Sequence, residues 1–435
     1  MRMPNNLFTF ALLIPFSLQA LERVWIGADG ANWTDPDVWA TNGVPATIPE
    51  NTDTVTITNG LTVNLTGAAL TDTNRFALVQ LSGSKRGTLV VGPGGYLPTV
   101  GLSISQNGSG PSTPGRFVVD GGGLNVTGAV LVGTDNINNP GRLEILNGGS
   151  FTNGNSVNGA APVRVYNGTI LVSNATFSTA FTTYIHGSST TNVFEVIDGT
   201  LNMTAFAIGR DVQNASGKAC RNVLRMRSGF MRTTADLEVG HTGTGGLTIT
   251  GAVEQTGGQL LSASGNVRLP INSSAVGEYL LSGGTFSIHN AGDSFFLGGR
   301  DGAAKGFFNM ADGVFTNKGV TQLGSYTGGL GVVTMSGGFA NFEKSILAGA
   351  TPRSTGDVSL AAGTLALGSG ATFQLGNASN AFGRCTVSGG LLSAPGRTFN
   401  IGSGVFGSGA FVQSGGIVSN SSTVVGATSA ANGIL

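Results

Sequence analysis

Residues 296–338 read FLGGRDGAAKGFFNMADGVFTNKGVTQLGSYTGGLGVVTMSGG and contain one unit almost twice. The unit has a short strand that ends in glycine, a second alternating strand, and a turn in which glycine precedes a large apolar residue. The turn glycines Gly313 and Gly338 are 25 residues apart. Self-similarity at a period of about 20–50 residues is typical of solenoids, in which each repeat buries its apolar face on its neighbours. The stretch therefore predicts a repeat architecture.

The same turn occurs along most of the chain, with successive turn glycines 19 to 31 residues apart. The thirteen glycines are Gly95, Gly122, Gly149, Gly168, Gly199, Gly229, Gly258, Gly284, Gly313, Gly338, Gly363, Gly390 and Gly416. Three short strands and three corners per repeat indicate one coil of a parallel β-helix, since no helical periodicity intervenes. We predict an all-β, right-handed parallel β-helix (β-solenoid) of about thirteen coils of roughly 27 residues. At about 4.8 Å per coil the rod would be about 60 Å long.

The composition fits short strands and tight turns. Glycine makes up 72 of 435 residues and charged residues only 10%, while 40% of residues are apolar. A disordered linker would lack that apolar fraction. The 22 basic and 22 acidic residues cancel, so no overall field attracts nucleic acid, and we expect no nucleic-acid partner.

The N-terminal region differs from the repeats. Residues 1–20 have an arginine, a short apolar run and a small residue at a plausible cleavage site, which predicts a secretory signal peptide. Residues 21–75 hold all three tryptophans and predict an N-terminal cap on the solenoid of residues 76–435. We expect an exported protein, secreted or at the cell surface, with no transmembrane segment in the mature chain.

The unit of residues 296–338 resembles the glycine-rich repeats of autotransporter-associated and related surface β-solenoids of Gram-negative bacteria. The opening WIGADGANWTDPDVWATNGVP, residues 25–45, is similar to the start of many such secreted proteins. The resemblance covers most of residues 23–435 and implies a large exported surface protein. The final Gly433-Ile434-Leu435 matches the start of a further repeat, compared with Gly331-Val332-Val333. We therefore expect either a longer chain or a last rung that pairs with another chain.

The two cysteines, Cys220 and Cys385, lie about six repeats apart, on the order of 29 Å at the interstrand distance of a solenoid. A disulfide needs Cα atoms within about 7 Å, so we predict two free thiols. Cys385 stands five residues before its turn glycine, where other copies have Phe117 or Phe411. This position predicts a core residue.

The main alternative is a polysaccharide-cleaving β-helix, either a lyase or a glycoside hydrolase. A glycosidase needs two carboxylates about 5–10 Å apart, but Asp120, Asp198 and Asp312 occupy the slot before the turn glycine, where Asn and Ser stand in other copies. Short oxygen-bearing side chains there bond the turn backbone. The histidines His186, His241 and His289 show no ligand spacing. We expect no enzyme activity, cofactor or metal.

Two sets of residues could bind a ligand. Residues 210–232 carry six cations against one acid, and alternation in the strand VLRMR puts its arginines outward. The members of this basic stripe are Arg210, Lys218, Arg221, Arg225, Arg227 and Arg232. It could bind an acidic polysaccharide. The alternative, which we favour, is a solvated face with ion pairs. Trp25, Trp33 and Trp39 could stack on sugars as a carbohydrate-binding solenoid would require, but packing in the cap is the favoured interpretation.

The sequence thus predicts an exported, non-enzymatic β-solenoid of the surface or extracellular matrix, acting in adhesion or as a filament-forming rod. Its expected partners are a second copy, through end-to-end strand addition, and a surface polysaccharide.

Overall fold

The computed structural model describes residues 21–35, 37–42, 44–46, 48–50, 53–58, 60–67, 70, 75–82, 87–106, 114–134, 139–154, 162–186, 191–210, 220–241, 249–272, 275–299, 304–426 and 430–435. Within these ranges every regular element is a β-strand. The proposed signal segment 1–20 lies outside the described residues.

Most strands of the N-terminal half are short, and β8 (Tyr96–Gln106) is the longest of them. They are β1 (Glu22–Trp25), β2 (Trp39–Thr41), β3 (Val44–Ala46), β4 (Thr54–Ile57), β5 (Thr62–Leu65), β6 (Phe76–Ser82), β7 (Thr88–Val91), β8 (Tyr96–Gln106), β9 (Gly115–Asp120), β10 (Gly123–Val126), β11 (Val130–Val132), β12 (Gly141–Leu146), β13 (Ser150–Asn153), β14 (Val163–Val165), β15 (Gly168–Ser173), β16 (Thr176–Thr179), β17 (Thr183–His186), β18 (Asn192–Ile197), β19 (Thr200–Met203) and β20 (Phe206–Arg210).

Several strands of the C-terminal half bend through a corner without a break. The strands are β21 (Cys220–Met226), β22 (Phe230–Thr233), β23 (Leu237–Val239), β24 (Ile249–Gln255), β25 (Gln259–Ser262), β26 (Val267–Leu269), β27 (Ala275–Ile288), β28 (Ser294–Leu297), β29 (Lys305–Asn317), β30 (Val320–Leu323), β31 (Leu330–Phe342), β32 (Ile346–Ala348), β33 (Thr355–Leu367), β34 (Phe373–Leu375), β35 (Phe382–Val387), β36 (Leu391–Ile401), β37 (Ser408–Gln413), β38 (Ile417–Val425) and β39 (Asn432–Ile434).

The strands form three parallel stacks, which we number by their order within a coil. The first sheet contains β5, β7, β9, β12, β15, β18, β21, β24, β35, β37, β39 and the first halves of β27, β29, β31 and β33. The second contains β10, β13, β16, β19, β22, β25, the first halves of β8, β36 and β38, and the second halves of β27, β29, β31 and β33. The third contains β1, β4, β6, β11, β14, β17, β20, β23, β26, β28, β30, β32, β34 and the second halves of β8, β36 and β38. This is the predicted parallel β-solenoid.

The number of coils is close to the prediction. The corner positions from Gly95 to Gly416 bound about 12 turns with a repeat of about 26 residues, against the thirteen coils of roughly 27 residues expected. The right-handed sense of winding stays a prediction.

One turn glycine was assigned wrongly from the sequence. Gly168 begins β15 and pairs with Gly141 at the start of the first sheet. The corner of that coil lies at Asn174-Ala175, where Asn174 has a φ of 47°, and Thr176 pairs with Ser150 just after Gly149. Asn adopts the left-handed conformation more readily than most residues, so it replaces glycine here. The spacings of 19 and 31 residues on either side of Gly168 arise because the corner of this coil lies at Asn174 and not at Gly168.

The core is a continuous apolar column inside the three sheets. One inward ladder of the first sheet joins equivalent positions of successive coils: Leu89, Phe117, Leu143, Ile170, Phe194, Leu224, Val253, Tyr279, Phe308, Val333, Val358, Cys385 and Phe411. Cys385 is 1% exposed and both cysteines are free thiols, as predicted. Burial, and secondarily the charge of Asp357, raises the pKa of the Cys385 thiol.

A buried polar pair lies within this core, among several aromatic rings. The Tyr279 hydroxyl donates to Gln255 Oε1 at 2.5 Å, and its ring stacks on Phe286 with centroids 4.4 Å apart. Gln255 Nε2 donates in turn to the carbonyl of Thr285 at 3.0 Å. Both polar groups are thereby satisfied, as buried groups must be. Burial raises the pKa of Tyr279 well above its usual value, so the hydroxyl keeps its proton.

A second ladder consists almost entirely of glycine and was not recognised in the sequence. It lies at or within two residues of the start of each first-sheet strand from β9 onward and comprises Gly115, Gly141, Gly168, Asn192, Asn222, Gly251, Gly277, Gly306, Gly331, Gly356, Gly383, Gly409 and Gly433. At Gly331 an added Cβ would lie 2.5 Å from Gly324 N and 2.7 Å from Leu297 O. Those two atoms form the hydrogen bond that turns the preceding corner, at 2.8 Å. Coils that have glycine at this position therefore close by backbone contact, which a side chain would block.

Two asparagines replace glycine in this ladder. Asn192 and Asn222 are wholly buried, and Asn192 Nδ2 donates to Asn222 Oδ1 at 2.8 Å. Asn192 also donates to the carbonyl of His186 at 2.7 Å and accepts from Gly168 N at 2.9 Å. Between these two coils side-chain amides join the rungs. At the glycine positions of the ladder, backbone contacts do this instead.

The N-terminal segment departs from the parallel stacking of the solenoid. Strand β1 pairs in parallel with β4, but β2 and β3 add to it antiparallel. Trp25, Trp33 and Trp39 are each 0% exposed, and Trp39 Nε1 donates to the carbonyl of Trp33 at 3.0 Å. The cap over the first rung stays a prediction, which these antiparallel strands and buried rings support, since the end of a solenoid requires a cover.

Candidate functional site

The six predicted cations do not form one surface. Arg221 and Arg225 lie on the outward face of β21 in the first sheet, and Arg227 follows the end of that strand. Arg232 lies on β22, in the second sheet. The side chain of Arg210 and the whole of Lys218 lie outside the described residues.

The arginines of the first sheet are joined to acids of neighbouring coils. Arg225 Nε lies 3.0 Å from Glu254, and Arg221 lies 2.8 Å from the same carboxylate. Arg221 also lies 3.4 Å from Glu278, and Arg227 lies 2.6 Å from Glu195. The positive stripe seen in the sequence is therefore one half of a cross-rung ion-pair network.

Sequence reasoning missed these acids, although a signal for them exists. Glu195, Arg225 and Glu254 each stand four residues before a turn glycine. Aligning the copies on that glycine puts alternating charges in one ladder, and the structure pairs the three positions directly. Asp236 and Glu238, which lie nearer to these arginines in sequence, instead contact Arg268.

The network shifts the pKa values of Glu254 and Arg221. Partial burial alone would raise the pKa of Glu254, but hydrogen bonds and charge from Arg221 and Arg225 outweigh it and lower the pKa below its usual value. Partial burial alone would lower the pKa of Arg221, but Glu254 and Glu278 outweigh it and raise the pKa. Both groups are therefore charged at neutral pH.

We predict that Glu254→Gln lowers the free energy of unfolding by about 1 kcal/mol or less at neutral pH, since water screens these partly exposed pairs. The folded pKa of Glu254 lies below its unfolded value, so its stabilisation is complete above about 4.5 and is lost as pH falls through the folded value. Urea unfolding of both proteins at neutral and successively lower pH measures this loss. Glu278→Gln, which removes only the 3.4 Å contact, is the control and should cost less. An equal difference at every pH would contradict the prediction.

The recurring acids have turn roles in the structure. Asp120 Oδ1 accepts from Asn147 Nδ2 of the next coil at 2.7 Å. Asp312 Oδ1 accepts from Gly313 N at 2.7 Å, and Asp198 adopts a φ of 52° at its corner. Among the described residues no group of three or more His, Cys, Asp or Glu could hold a metal ion.

The three tryptophan rings of the cap pack on one another. The Trp25 and Trp39 centroids are 4.9 Å apart and those of Trp33 and Trp39 are 4.7 Å apart, both edge to face. Since all three side chains are fully buried, no ring face is open to a sugar in this structure.

Two surface cavities were not predicted from the sequence. The larger, of about 330 Å³, lies at the corner between the second and third sheets and includes Arg232. The smaller, of about 190 Å³, is lined by Arg268, Phe296 and Tyr326. The Arg268 guanidinium lies 5.8 Å from the Phe296 ring centroid, and Asp236 and Glu238 compensate its charge.

Most of the long connections share one edge of the solenoid. They leave the end of a third-sheet strand and enter the next first-sheet strand, as residues 211–219 and 240–248 do. We call this edge, with the connections 107–114, 133–140, 187–191, 211–219, 240–248 and 298–304, the loop edge. The turn between the first and second sheets is much shorter, only Gly121-Gly122 between β9 and β10. The connections that vary most in length therefore lie on one side of the solenoid.

Comparison with known protein families, with curated proteins and with solved structures finds no match to this chain. The part of the chain that the structure describes contains no helix of the length and apolarity needed to cross a bilayer. The structure establishes the β-solenoid fold and identifies no family.

Proposed function

We propose that this protein is an exported, non-enzymatic β-solenoid that acts as a rigid rod on a bacterial surface or in the extracellular matrix. The observation that carries this proposal is its uninterrupted core. One cluster of buried side chains runs from Trp25 in the cap to Phe411 near the last coils. A rod with a single core holds its ends at a fixed distance, and its backbone groups, paired in ladders, resist proteases.

The loop edge supports a role in adhesion. Surface connections tolerate changes in length and composition and commonly carry recognition. The described strand ends that flank these connections follow one another at coil spacing along one side of a rigid body, so recognition segments attached there would share one face. Membership of the autotransporter-associated repeat group belongs to the same proposal and rests on the repeats of residues 296–338.

The test combines location with turnover. Antibodies raised against the purified chain should label intact producing cells or their matrix, and cells that lack the chain should attach less well to surfaces. Labelling that needs permeabilised cells would overturn the proposal. Release of reducing ends or unsaturated uronates from a polysaccharide panel would instead establish the alternative, a polysaccharide-cleaving β-helix.

We further propose that copies associate end to end by strand addition at the last rung. Among the described residues β38 and β39 have a partner strand on one side only. Ile417 and Ile434 on these strands are 65% and 68% exposed. Unpaired apolar edges are templates for pairing with another chain. At the other end β2 and β3 are antiparallel and break the parallel stacking, so two copies would meet at their C-terminal rungs.

We predict that residues 21–435 dimerise with rising concentration into rods of doubled length, measured by analytical ultracentrifugation and electron microscopy. Ile434→Lys should stay monomeric, because a charge on an edge strand opposes pairing. Ile26→Lys makes the same change at an exposed position of the capped end and should dimerise normally. A native chain that stays monomeric at high concentration would contradict the proposal.

A further inference from the structure

The groove at the corner between the second and third sheets has the dimensions of a ligand site. It crosses four successive coils, at the ends of β13, β16, β19 and β22. Its volume of about 330 Å³ falls within the range of small-molecule sites, about 300–1,000 Å³. It runs along the solenoid axis, because equivalent residues of adjacent coils line it.

One wall of the groove is a ladder of polar side chains. Thr152, Ser178, Asn202 and Arg232 are directly paired positions of the four strands. The wall therefore presents two hydroxyls, one amide and one guanidinium in that order, on strands about 4.8 Å apart. The rise per residue of an extended pyranose chain is close to this spacing.

The rest of the lining adds hydrogen-bonding groups and a small apolar surface. Thr204 and Thr234 follow their strands at the corner and also line the groove. The methyl of exposed Ala180 supplies a small apolar contact, while the Met203 side chain beneath it is buried in the core. Polar groups beside a small C–H surface can contact the two kinds of face that a sugar presents.

Arg232 supplies the charge that selects the ligand. Among the described residues it makes no ion pair, whereas Arg221, Arg225 and Arg227 are paired to carboxylates. None of the residues that line the groove is acidic. The exposed guanidinium at one end of the groove can therefore hold a carboxylate in two parallel hydrogen bonds.

We propose that this groove binds a linear oligosaccharide that contains uronate residues, with a carboxylate on Arg232 and sugar hydroxyls on the polar ladder. The inference rests on the proposed extracellular rod and names its glycan ligand. A neutral glycan would leave Arg232 without a counter-charge. A nucleic acid would need aromatic stacking surfaces, and no lining residue of the groove is aromatic.

The test measures binding to the intact chain by calorimetry and ligand-observed NMR. The probes are β-1,4-linked mannuronate oligomers of three to six sugars, with β-1,4-linked glucose oligomers as the matched neutral set and inorganic sulfate as a simple anion. Uronate oligomers are expected to bind at least tenfold more tightly than the glucose oligomers. Arg232→Gln should lose about tenfold or more in affinity, and Arg232→Lys should recover part of it, because lysine keeps the charge without the bidentate geometry.

Two further variants separate the groove from the ion-pair network. Asn202→Tyr fills the groove at an exposed position without changing charge and should abolish binding. Arg225→Gln removes a paired arginine of the first sheet and should leave binding unchanged. Equal affinity for uronate and glucose oligomers, equal competition by sulfate, or an equal loss in Arg225→Gln would each overturn the proposal. Absence of all binding would also overturn the proposed groove site. The proposed role as an extracellular rod would then still be tested separately, by surface labelling and by cell attachment.

Discussion

Gly306→Ala is expected to destabilise the solenoid by about 3 kcal/mol or more. A Cβ at Gly306 would lie 1.9 Å from Leu269 O and 2.6 Å from Gly298 N, and both atoms belong to the backbone of the preceding coils. Gly298 N donates to Leu269 O at 2.7 Å, so the methyl group would force that corner hydrogen bond apart. No side-chain rotation can relieve such a clash.

The measurement is denaturant unfolding followed by circular dichroism, with hydrogen exchange across Lys305–Asn317 to locate the damage. Gly292→Ala is the matched control: its Cβ would lie 3.6 Å from Asn290 Oδ1, an ordinary contact. We expect the control to change stability by about 0.5 kcal/mol or less, as exposed substitutions commonly do. If the two variants were equally stable, close backbone contact would not be what closes each coil.

Trp39→Ala is expected to cost about 3–5 kcal/mol, the usual range for a large buried aromatic. The change removes edge-to-face contacts with two other rings and leaves the carbonyl of Trp33 without the indole donor. Because all three tryptophans of the chain lie in the cap, their fluorescence reports the unfolding of this end alone. The fluorescence transition should move to markedly lower denaturant.

The same variant distinguishes the two interpretations of the tryptophans. A ring that served as a sugar platform on the surface could be removed with little loss of stability. Val44→Ala, at a position 65% exposed on β3, is the control and should unfold like the native protein. An unchanged fluorescence transition for Trp39→Ala would contradict the capping role.

The repeat architecture could be predicted because its signals are local. A turn glycine before an apolar residue, and alternation within short strands, follow from φ requirements and from the period of two in a strand. The assignment of Gly168 as a turn glycine was wrong because the dipeptide Asn167-Gly168 has the same local sequence pattern as a corner. Only pairing with Gly141 distinguishes a strand start from a turn.

The candidate site could be predicted only in part. The sequence singled out residues 210–232, but it could not show that Arg225 would contact Glu254 of the next coil or that Arg232 would lie on another sheet. Contacts between coils join residues about 26 positions apart, so their partners depend on the length of every intervening connection. The groove at Arg232 likewise exists only once four coils are stacked in register.

The sequence by itself determined the fold class, the approximate repeat and the two free thiols, since each depends on spacing along the chain. The tertiary structure alone decided which glycines close the coils, which arginines are paired, and where a polar groove opens. The physical reason is that backbone clashes, ion pairs and cavities arise from atoms of different coils, whose relative positions are fixed only when the rungs stack.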